Sequence, residues 1–221
     1  SRRQRQMCIR DSGKGVIIAQ SLEEAKDAVK EIMEDKKFGE SGNNVVIEEF
    51  LTGPEVSVLA FTDGKTLKPM ISSMDHKRAL DGDKGLNTGG MGTISPNPYY
   101  TDDMAEVCMK TIFMPTVEAM NKEGRPFKGC LYFGLMLTPD GPKVIEYNSR
   151  FGDPEAQVVL TLLDSDLVDI VNAVIDEKLD QVDIKWSKDN AACIVMASGG
   201  YPEAYKKGIE MDGFDENGQV D

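Results

Sequence analysis

Two β-hairpin signals with a helical segment between them constrain the fold of this 221-residue chain more than any other feature. The first surrounds Asp63-Gly64 and the second surrounds Pro139-Asp140-Gly141, each between apolar segments of strand length. Short turns of this composition join antiparallel strands. Residues 101–123 and 166–179 carry helical periodicity, so helices alternate with the hairpins. We therefore predict an α+β fold with largely antiparallel sheets.

Local signals place most of the other elements. Ser21 and Glu24 form a capping box that begins a helix. Pro115 is expected to kink or break the helix of 101–123, because proline lacks the N–H of the helical hydrogen bond. Residues 75–100 are expected to form a long glycine-rich loop, and such loops are usually functional or disordered. The remaining predictions are a helix at 155–163 and strands at 16–19, 45–49, 55–62, 67–73, 129–137, 143–148 and, of the buried type, 191–198.

Composition and charge exclude several classes of function. The net charge of −13 argues against a nucleic-acid surface, which needs clustered Lys and Arg, but it is compatible with a nucleotide bound through Mg²⁺. Nothing resembles an apolar run of about 20 residues, so no membrane span is expected. The single histidine, His76, excludes a His-rich zinc site. The four cysteines are widely spaced without a C-x-x-C, which is typical of reduced thiols in a cytoplasmic protein.

The two ends of the chain differ from its centre. Residues 1–12 have neither helical nor strand periodicity, and we interpret them as a non-native cloning or assembly scar, with a disordered native arm as the alternative. After Pro202 the sequence becomes polar without a closing element, so we interpret the chain as a truncated fragment. Gly13-Lys14-Gly15 is too short for a P-loop, and no Rossmann G-x-G-x-x-G is present.

Potential metal ligands lie at the end of the second hairpin. Alternate side chains of a strand share a face, so Glu146 and Asn148 point the same way. Mg²⁺ commonly takes one or two carboxylates together with substrate phosphates. Arg150 could clamp a phosphate or carboxylate, and the loop that follows adds Asp153 and Glu155. The alternative is an edge strand with a solvated face.

An apolar strand followed by a short linker spans residues 47–51. Its backbone could offer N–H and C=O groups to the edge of an adenine base, while Phe50 and Leu51 supply apolar walls. Glu55 follows closely and could accept hydrogen bonds from ribose hydroxyls. The alternative is a core strand with exposed glutamates.

Two segments of the 75–100 loop have the composition of an anion site. Asp75-His76-Lys77-Arg78 places three potentially cationic side chains together, and the amides of the glycine-rich run at 87–92 could form an anion-binding nest. A mobile charged loop is the alternative. A catalytic triad around His76 is not expected, because no Ser or Cys lies in a recognisable elbow motif.

Together and in this order, these segments resemble the family of phosphoribosylamine–glycine ligases, within the ATP-grasp superfamily. The likeness runs from about Gly13 to Pro202 and is most specific in the runs at 87–92 and 148–155. The matching stretches are GKGVI at 13–17, VIEEFL at 46–51, DHKR at 75–78, NTGGMG at 87–92 and VIEYNSRFGDPE at 144–155.

The resemblance implies an α+β ATP-grasp fold, in which two subdomains clasp ATP, incomplete here at both ends. Residues 13–50 would form part of the small subdomain up to the adenine hinge, and residues 51–188 the large subdomain with the metal and acceptor sites. Residues 189–221 would begin a truncated C-terminal domain.

The resemblance also implies roles for individual residues, in four groups that partly overlap. The implied ATP-binding residues are Lys14, Glu48, Glu49, Phe50, Leu51 and Glu55, and the metal ligands are Glu146 and Asn148. The implied substrate-binding residues are Asp75, Lys77, Asn87, Gly89, Gly90, Arg150, Asp153 and Glu155, and the catalytic residues are Lys77, Arg78, Arg150 and Asp153.

The implied reaction is the ATP-dependent ligation of glycine to 5-phosphoribosylamine through glycyl phosphate, giving glycinamide ribonucleotide, ADP and phosphate in purine biosynthesis. Such chemistry needs positioning and charge neutralisation and no protein nucleophile. The implied cofactor is Mg²⁺ or Mn²⁺. The implied partners are the small-molecule substrates alone, for a cytoplasmic monomer without nucleic-acid or membrane contact. The alternatives are an ATP-grasp ligase or carboxylase with a different acceptor, and a non-catalytic Mg·ATP-binding module.

Two departures from the family pattern affect what the chain itself is expected to do. The strand at 131–137 offers no third metal carboxylate, and residues 1–12 stand where the family has a strand with a phosphate-binding lysine. We therefore expect little or no ligase activity from the 221-residue polypeptide. Residues 81–92 are expected to act as a lid that excludes water from the acyl phosphate.

Overall fold

The computed structural model describes residues 5–9, 17–82, 84–210, 212–213 and 215–216. The chain divides into two compact units, Ser1–Thr52 and Gly53–Asp221. The helices described are α1 (Leu22–Met33), α2 (Asp102–Cys108), α3 (Met114–Lys122), α4 (Glu155–Thr161) and α5 (Leu167–Ile175). The strands described are β1 (Arg5–Ile9), β2 (Ile17–Ala19), β3 (Val45–Glu49), β4 (Glu55–Thr62), β5 (Leu67–Pro69), β6 (Met74–Asp75), β7 (Arg78–Leu80), β8 (Lys84–Asn87), β9 (Gly92–Ser95), β10 (Gly129–Thr138), β11 (Gly141–Asn148) and β12 (Ala191–Ile194).

The first unit contains a three-stranded antiparallel sheet of order β2-β1-β3 and the helix α1. The Ser21 side chain accepts a hydrogen bond from the Glu24 N–H at 3.2 Å, and Glu24 Oε2 accepts from the Gln20 N–H at 2.7 Å. These two bonds satisfy N–H groups that the first helical turn leaves without partners. The helix predicted from the capping box is confirmed, and it buries Ala28 and Ile32.

We expected residues 1–12 to lie outside the fold, but part of this segment forms a strand. The structure places β1 at the centre of the first unit's sheet, where Gln6 pairs with Ile18 on one side and with Glu48 on the other. Strand pairing uses backbone groups, so a segment without side-chain alternation can still occupy a central position. That this segment is non-native stays a prediction. Gly13-Lys14-Gly15 lies outside the described residues.

The second unit is built on a four-stranded antiparallel sheet of order β11-β10-β4-β5. Both predicted hairpins, β4–β5 and β10–β11, are confirmed, although β5 ends earlier than expected. Helices cover both faces of the sheet. Phe113 and Phe133 pack on the α2–α3 side with ring centroids 4.3 Å apart, whereas Leu59 and Tyr132 pack with Val159 on the α4–α5 side. The central strand β4 is buried from residue 56 onward for this reason.

Pro115 was expected to kink or break the helix of 101–123, but residues 102–122 remain helical without interruption. The helix type changes instead: a π-helical segment, Met109–Phe113, joins α2 to α3, and Pro115 is the second residue of α3. Proline cannot donate to the carbonyl four residues earlier, and a wider turn accommodates that missing bond. Thr101 caps the start of α2 by accepting a hydrogen bond from the Met104 N–H.

The expectation of an unstructured loop at 75–100 is wrong. The segment forms the hairpin β7–β8, and β9 pairs with both β6 and β12 in a second antiparallel sheet of order β12-β9-β6. All four residues of β8 are exposed and Gly85 has a φ of +83°, so no alternation of apolar side chains indicated a strand there.

The C-terminal strand also differs from expectation. It ends at Ile194, and the side chains of Ile194 and Met196 are 84% and 94% exposed, so the segment is not of the buried type. Residues from 189 onward were expected to begin a further domain. In the structure β12 pairs with β9 within the second unit. Among the described helices, none combines the length and the apolar character that a bilayer crossing requires.

Candidate functional site

The two predicted metal ligands lie on the same face of the edge strand β11. Tyr147 contacts Phe133 on the α2–α3 side of the sheet, with ring centroids 5.6 Å apart, so Glu146 and Asn148 point to the opposite face. Gly134 pairs with Glu146, and a Cβ at Gly134 would lie 2.8 Å from Glu146 Cγ. Because residue 134 has no side chain, the Glu146 side chain has room to lie over the neighbouring strand β10.

This donor set suits a divalent ion that shares its coordination with a substrate. One carboxylate and one amide oxygen are hard ligands, and Mg²⁺ usually completes its shell with water and phosphate oxygens. Within the described part of the chain, no group of three or more His, Cys, Asp or Glu side chains could hold a metal by itself. The residues present thus fit a metal that arrives with, or is completed by, a nucleotide phosphate.

Lys77 pairs with a carboxylate at the start of β4. Its Nζ lies 3.1 Å from Glu55 Oε2. Burial alone would lower the pKa of Lys77, but the negative charges of Glu55, Glu146 and Asp75 outweigh burial and raise it. Lys77 is therefore a cation within the electrostatic reach of Glu146. Glu55, expected to bind ribose, accepts this ammonium group in the structure.

Glu155, Tyr132 and Ser57 form a buried group of three hydrogen-bonded side chains. Glu155, the first residue of α4, is 4% exposed, and its Oε1 accepts hydrogen bonds from Tyr132 OH at 3.0 Å and Ser57 Oγ at 3.1 Å. The two hydroxyls are 2.8 Å apart. Burial, together with the negative charge of Glu155, raises the pKa of Tyr132, so its hydroxyl remains a donor.

Sequence reasoning missed Ser57 and Tyr132. Each is a polar side chain within an apolar strand segment, which is the one local signal that could have indicated them. Their partner Glu155 is 98 residues from Ser57 in sequence, so the contact itself left no local pattern.

Asp75 is the most perturbed carboxyl group of the site. Burial and the nearby charge of Glu155 raise its pKa to about 7, against the opposing effects of Lys77 and the His76 N–H. Its Oδ1 is buried and has no hydrogen-bond partner. A Cβ at Gly90 would lie 2.8 Å from this oxygen and 2.4 Å from Pro154 Cδ, so only glycine allows the loop to pack here.

The glycine-rich run does not form the predicted anion nest. Its amide groups donate within the protein: Gly89 N–H to Tyr201 OH at 3.3 Å, Gly90 N–H to Thr88 Oγ1 at 3.0 Å, and Met91 N–H to the His76 carbonyl at 2.7 Å. The last of these bonds, together with one from the Thr88 N–H to the Lys77 carbonyl at 2.7 Å, holds the run against the 75–78 segment. Asn87 pairs with Arg78 in the β7–β8 hairpin, and the Arg78 guanidinium donates to the Gly85 carbonyl at 2.8 Å.

Arg150 and Asp153 lie on the surface between β11 and α4. Arg150 Nη1 donates to the Phe151 carbonyl at 2.8 Å, and Asp153 Oδ1 accepts from Gln157 Nε2 at 2.7 Å. Both side chains are exposed, and their assigned roles stay predictions.

The predicted adenine residues end the first unit. Glu48 and Glu49 are the last residues of β3, pairing with Gln6 and Arg5 of β1, and Phe50 and Leu51 are partly buried. The strand itself has the predicted bounds. Lys14, predicted to bind ATP, lies outside the described residues.

Comparison with known proteins identifies the class as an ATP-grasp fold. The solved phosphoribosylamine–glycine ligase of Thermotoga maritima superposes with a TM-score of 0.76 at 34% identity, over 92% of this chain and 51% of that one. A family model described as the phosphoribosylglycinamide synthetase ATP-grasp (A) domain matches residues 7–156. The chain belongs to this family, and the match includes residues 7–12 of the segment that we interpreted as a scar.

The names of similar curated proteins indicate the same family. A phosphoribosylamine–glycine ligase of Vibrio parahaemolyticus is 52% identical over 92% of this chain and 48% of its own length. The trifunctional purine biosynthetic protein adenosine-3 of Gallus gallus is 54% identical over 92% of this chain and 20% of its own length. The chain thus spans about half the length of the monofunctional relative. ATP and a divalent metal ion are used generally in this ligase family.

Proposed function

We propose that this chain is the ATP- and metal-binding part of an enzyme that ligates glycine to 5-phosphoribosylamine. The products would be glycinamide ribonucleotide, ADP and phosphate, formed through glycyl phosphate. The observation that supports this most is the position of Lys77, which is charged, partly buried and within the field of the Glu146 carboxylate in a chain of this family. A cation beside a metal ligand is the arrangement that a transferring phosphoryl group requires.

The chain's own residues would neutralise negative charge on the phosphates and position the substrates. Glu146 and Asn148 would hold Mg²⁺ or Mn²⁺, which neutralises negative charge on the ATP phosphates. Lys77 would add a fixed positive charge on the same side, at the cost of its ion pair with Glu55. Arg78 and Arg150 would orient phosphate or carboxylate oxygens in the forked geometry of a guanidinium.

The remaining assignments belong to the same proposal. Lys14, Glu48, Glu49, Phe50, Leu51 and Glu55 would bind the nucleotide, and Asp75, Asn87, Gly89, Gly90, Asp153 and Glu155 would line the acceptor site. The β7–β8 hairpin with the glycine-rich run would exclude water, because water would hydrolyse the acyl phosphate. We further propose a cytoplasmic monomer that acts on small molecules without nucleic acid or membrane contact.

The test uses the complete reading frame that encodes this chain, purified and supplied with Mg·ATP. We expect ADP release that depends on glycine, and formation of glycine hydroxamate when hydroxylamine replaces phosphoribosylamine, because hydroxylamine traps an acyl phosphate. Glu146→Gln should lower this rate by at least about a hundredfold, since removing one preorganised charge-stabilising group costs about that much. The matched control Asp140→Asn changes an exposed acid in the turn of the same hairpin and should keep the rate.

Two results would contradict the proposal. ADP release that is indifferent to glycine but responds to another acid would indicate an ATP-grasp enzyme with a different acceptor. Nucleotide binding without turnover on any acid and amine would indicate a non-catalytic module.

A further inference from the structure

The glycine-rich run at 88–92 lies between two segments that hydrogen-bond to its backbone. On one side, the Thr88 and Met91 N–H groups donate to the carbonyls of Lys77 and His76. On the other side, the Met91 carbonyl accepts from the Val195 N–H at 2.9 Å, directly after the pairing of β9 with β12. Backbone bonds therefore hold the run near both of its ends.

The tip of the run, Gly89-Gly90, is held by side chains. The Gly90 N–H donates to Thr88 Oγ1 within the run itself. In the part of the chain that the structure describes, one hydrogen bond reaches the tip from outside the run, and it joins the Gly89 N–H to Tyr201 OH at 3.3 Å. Tyr201 is thus the residue that ties the tip to the rest of the chain by a hydrogen bond.

Tyr201 lies in the Gly-Gly-Tyr-Pro sequence at 199–202, which forms a turn. Its N–H donates to the Ser198 carbonyl at 3.1 Å, and the Glu203 N–H donates to the Gly200 carbonyl at 3.1 Å. Gly200 has a φ of +94°, and a Cβ there would clash with the Ala204 carbonyl oxygen, so the turn requires glycine. The local sequence therefore fixes the backbone from which the Tyr201 side chain extends to Gly89.

A second tyrosine supports the ring of Tyr201. The rings of Tyr201 and Tyr205 meet edge to face, with centroids 5.4 Å apart and planes at 70°. The quadrupoles of two aromatic rings favour this arrangement. Lys207 Nζ lies 5.7 Å from the centroid of the Tyr205 ring and adds a cation–π contact. Because these contacts hold the ring of Tyr201 without its hydroxyl, removing the hydroxyl alone leaves the ring in place.

We propose that Tyr201 is a positioning residue, which holds the tip of the glycine-rich run closed over Asp75 and Pro154. Gly90 packs on Asp75 Oδ1 and on Pro154 Cδ, so displacement of the tip would uncover both groups. The inference rests on the proposed function for the chemistry that the closed run protects. The contact between Tyr201 and Gly89 is independent of that function.

The proposed reaction explains why a small displacement of the tip matters. The amine of phosphoribosylamine attacks the carbonyl carbon of glycyl phosphate, and the bond from this carbon to the phosphate oxygen breaks. Water that reaches the same carbon breaks the same bond and returns glycine and phosphate, so one ATP is consumed without product. A run that Tyr201 holds closed favours attack by the amine over attack by water.

The first test measures the contact itself in the 221-residue chain, as the exchange of the Gly89 amide proton with solvent by NMR. Tyr201→Phe removes the hydroxyl and keeps the ring. We expect this exchange to become about 2- to 10-fold faster, which is the effect of losing one hydrogen bond. Tyr205→Phe, which removes the hydroxyl of the neighbouring ring, is the matched control and should exchange as the parent does.

The second test uses the complete reading frame that encodes this chain, with Mg·ATP and glycine but without phosphoribosylamine. ADP release then reports hydrolysis of the acyl phosphate by water. We expect Tyr201→Phe to raise this rate by about 2- to 10-fold while KM for ATP stays at the parent value, and Tyr205→Phe to leave the rate unchanged. The loss of a merely structural contact would lower the rate. When phosphoribosylamine is added, Tyr201→Phe should release more ADP per glycinamide ribonucleotide than the parent.

Three results would overturn the inference. They are an unchanged exchange of the Gly89 amide in Tyr201→Phe, an equal increase in Tyr205→Phe, and ADP release without the amine that falls or stays constant although exchange is faster. Failure of the proposed function is distinguished in the parent enzyme, as the absence of glycine-dependent ADP release. The protective role of Tyr201 would then fail as well, whereas the exchange measurement would still decide whether Tyr201 holds the run.

Discussion

At the scale of single residues, the proposed phosphate site depends most on Lys77. It contributes a positive charge in a neighbourhood that contains Glu55, Glu146 and Asp75, and these carboxylates keep it protonated. We predict that Lys77→Gln weakens Mg·ATP binding by about 10- to 100-fold, because a charged hydrogen bond contributes about 1.5–3 kcal/mol.

The control for this variant is Lys84→Gln, at an exposed lysine of the β7–β8 hairpin with the same change of net charge. Titration calorimetry of both variants with the nucleotide and Mg²⁺ provides the comparison. Equal affinities in the two variants would show that Lys77 does not contact the phosphates.

Asp75 gives a pH-dependent prediction about stability. Its pKa in the folded chain is about 7, above its ordinary value of 3.8, so the folded state binds a proton that the unfolded state releases between these values. Stability from this group is therefore present at low pH and is lost as pH rises towards 7. Asp75→Asn should be more stable than the parent at pH 8, by about 1–3 kcal/mol, and similar to it near pH 4.

Urea unfolding at pH 4, 6 and 8 measures this difference. Asp81→Asn, an exposed position in the β7–β8 turn, should show no such trend. If the variant were less stable than the parent at pH 8, the Asp75 carboxylate could not be a buried charge that lacks a hydrogen-bond partner.

At the scale of elements, the first hairpin is tied to the segment after α5 by one side chain. Asp63 is 2% exposed, and its Oδ1 accepts from the Lys65 and Thr66 N–H groups at 3.0 and 2.7 Å while its Oδ2 accepts from the Leu179 N–H at 3.2 Å. Burial alone would raise the pKa of Asp63, but these donors lower it overall.

We predict that Asp63→Asn destabilises the chain by about 1–3 kcal/mol at pH 7, because an amide oxygen replaces one acceptor and an NH₂ group faces a backbone donor. The lowered pKa means that the contribution of Asp63 is present above pH 3.8 and is lost as pH falls through its folded pKa. Chemical denaturation at pH 7 and pH 3 measures both effects. Asp140→Asn, in the turn of the other hairpin, is the control, and equal stability of the two variants would refute the prediction.

We proposed that the β7–β8 hairpin, with the glycine-rich run that follows it, excludes water from the site. Leu80 and Leu86 are 64% and 49% exposed on the hairpin, and the residues that follow pack on Asp75. We predict that glycine and a non-hydrolysable Mg·ATP analogue together slow tryptic cleavage at Lys84 severalfold. Cleavage at Lys188, which is exposed outside the hairpin, should not change. Equal cleavage at Lys84 with and without ligands would contradict the lid.

At the scale of the whole molecule, local chemistry was predictable and long-range pairing was not. The turns around Asp63-Gly64 and Pro139-Asp140-Gly141 carry their own conformational preference, so the hairpins followed from sequence. Side-chain alternation also placed Glu146 and Asn148 on one face. The β6–β9 pairing joins residues 18 and 20 positions apart, and Ser57 contacts Glu155 across 98 positions, so neither contact leaves a periodic signal.

We propose that Glu146, Asn148 and Lys77 form the metal and phosphate end of one nucleotide site. The most direct measurement is the affinity of the 221-residue chain for a non-hydrolysable ATP analogue, with and without Mg²⁺, in the parent and in Glu146→Gln. We predict binding that is at least about tenfold tighter with Mg²⁺ in the parent, and loss of that difference in Glu146→Gln. Affinity that is the same with and without Mg²⁺ in the parent, or a metal effect that survives in Glu146→Gln, would contradict the claim.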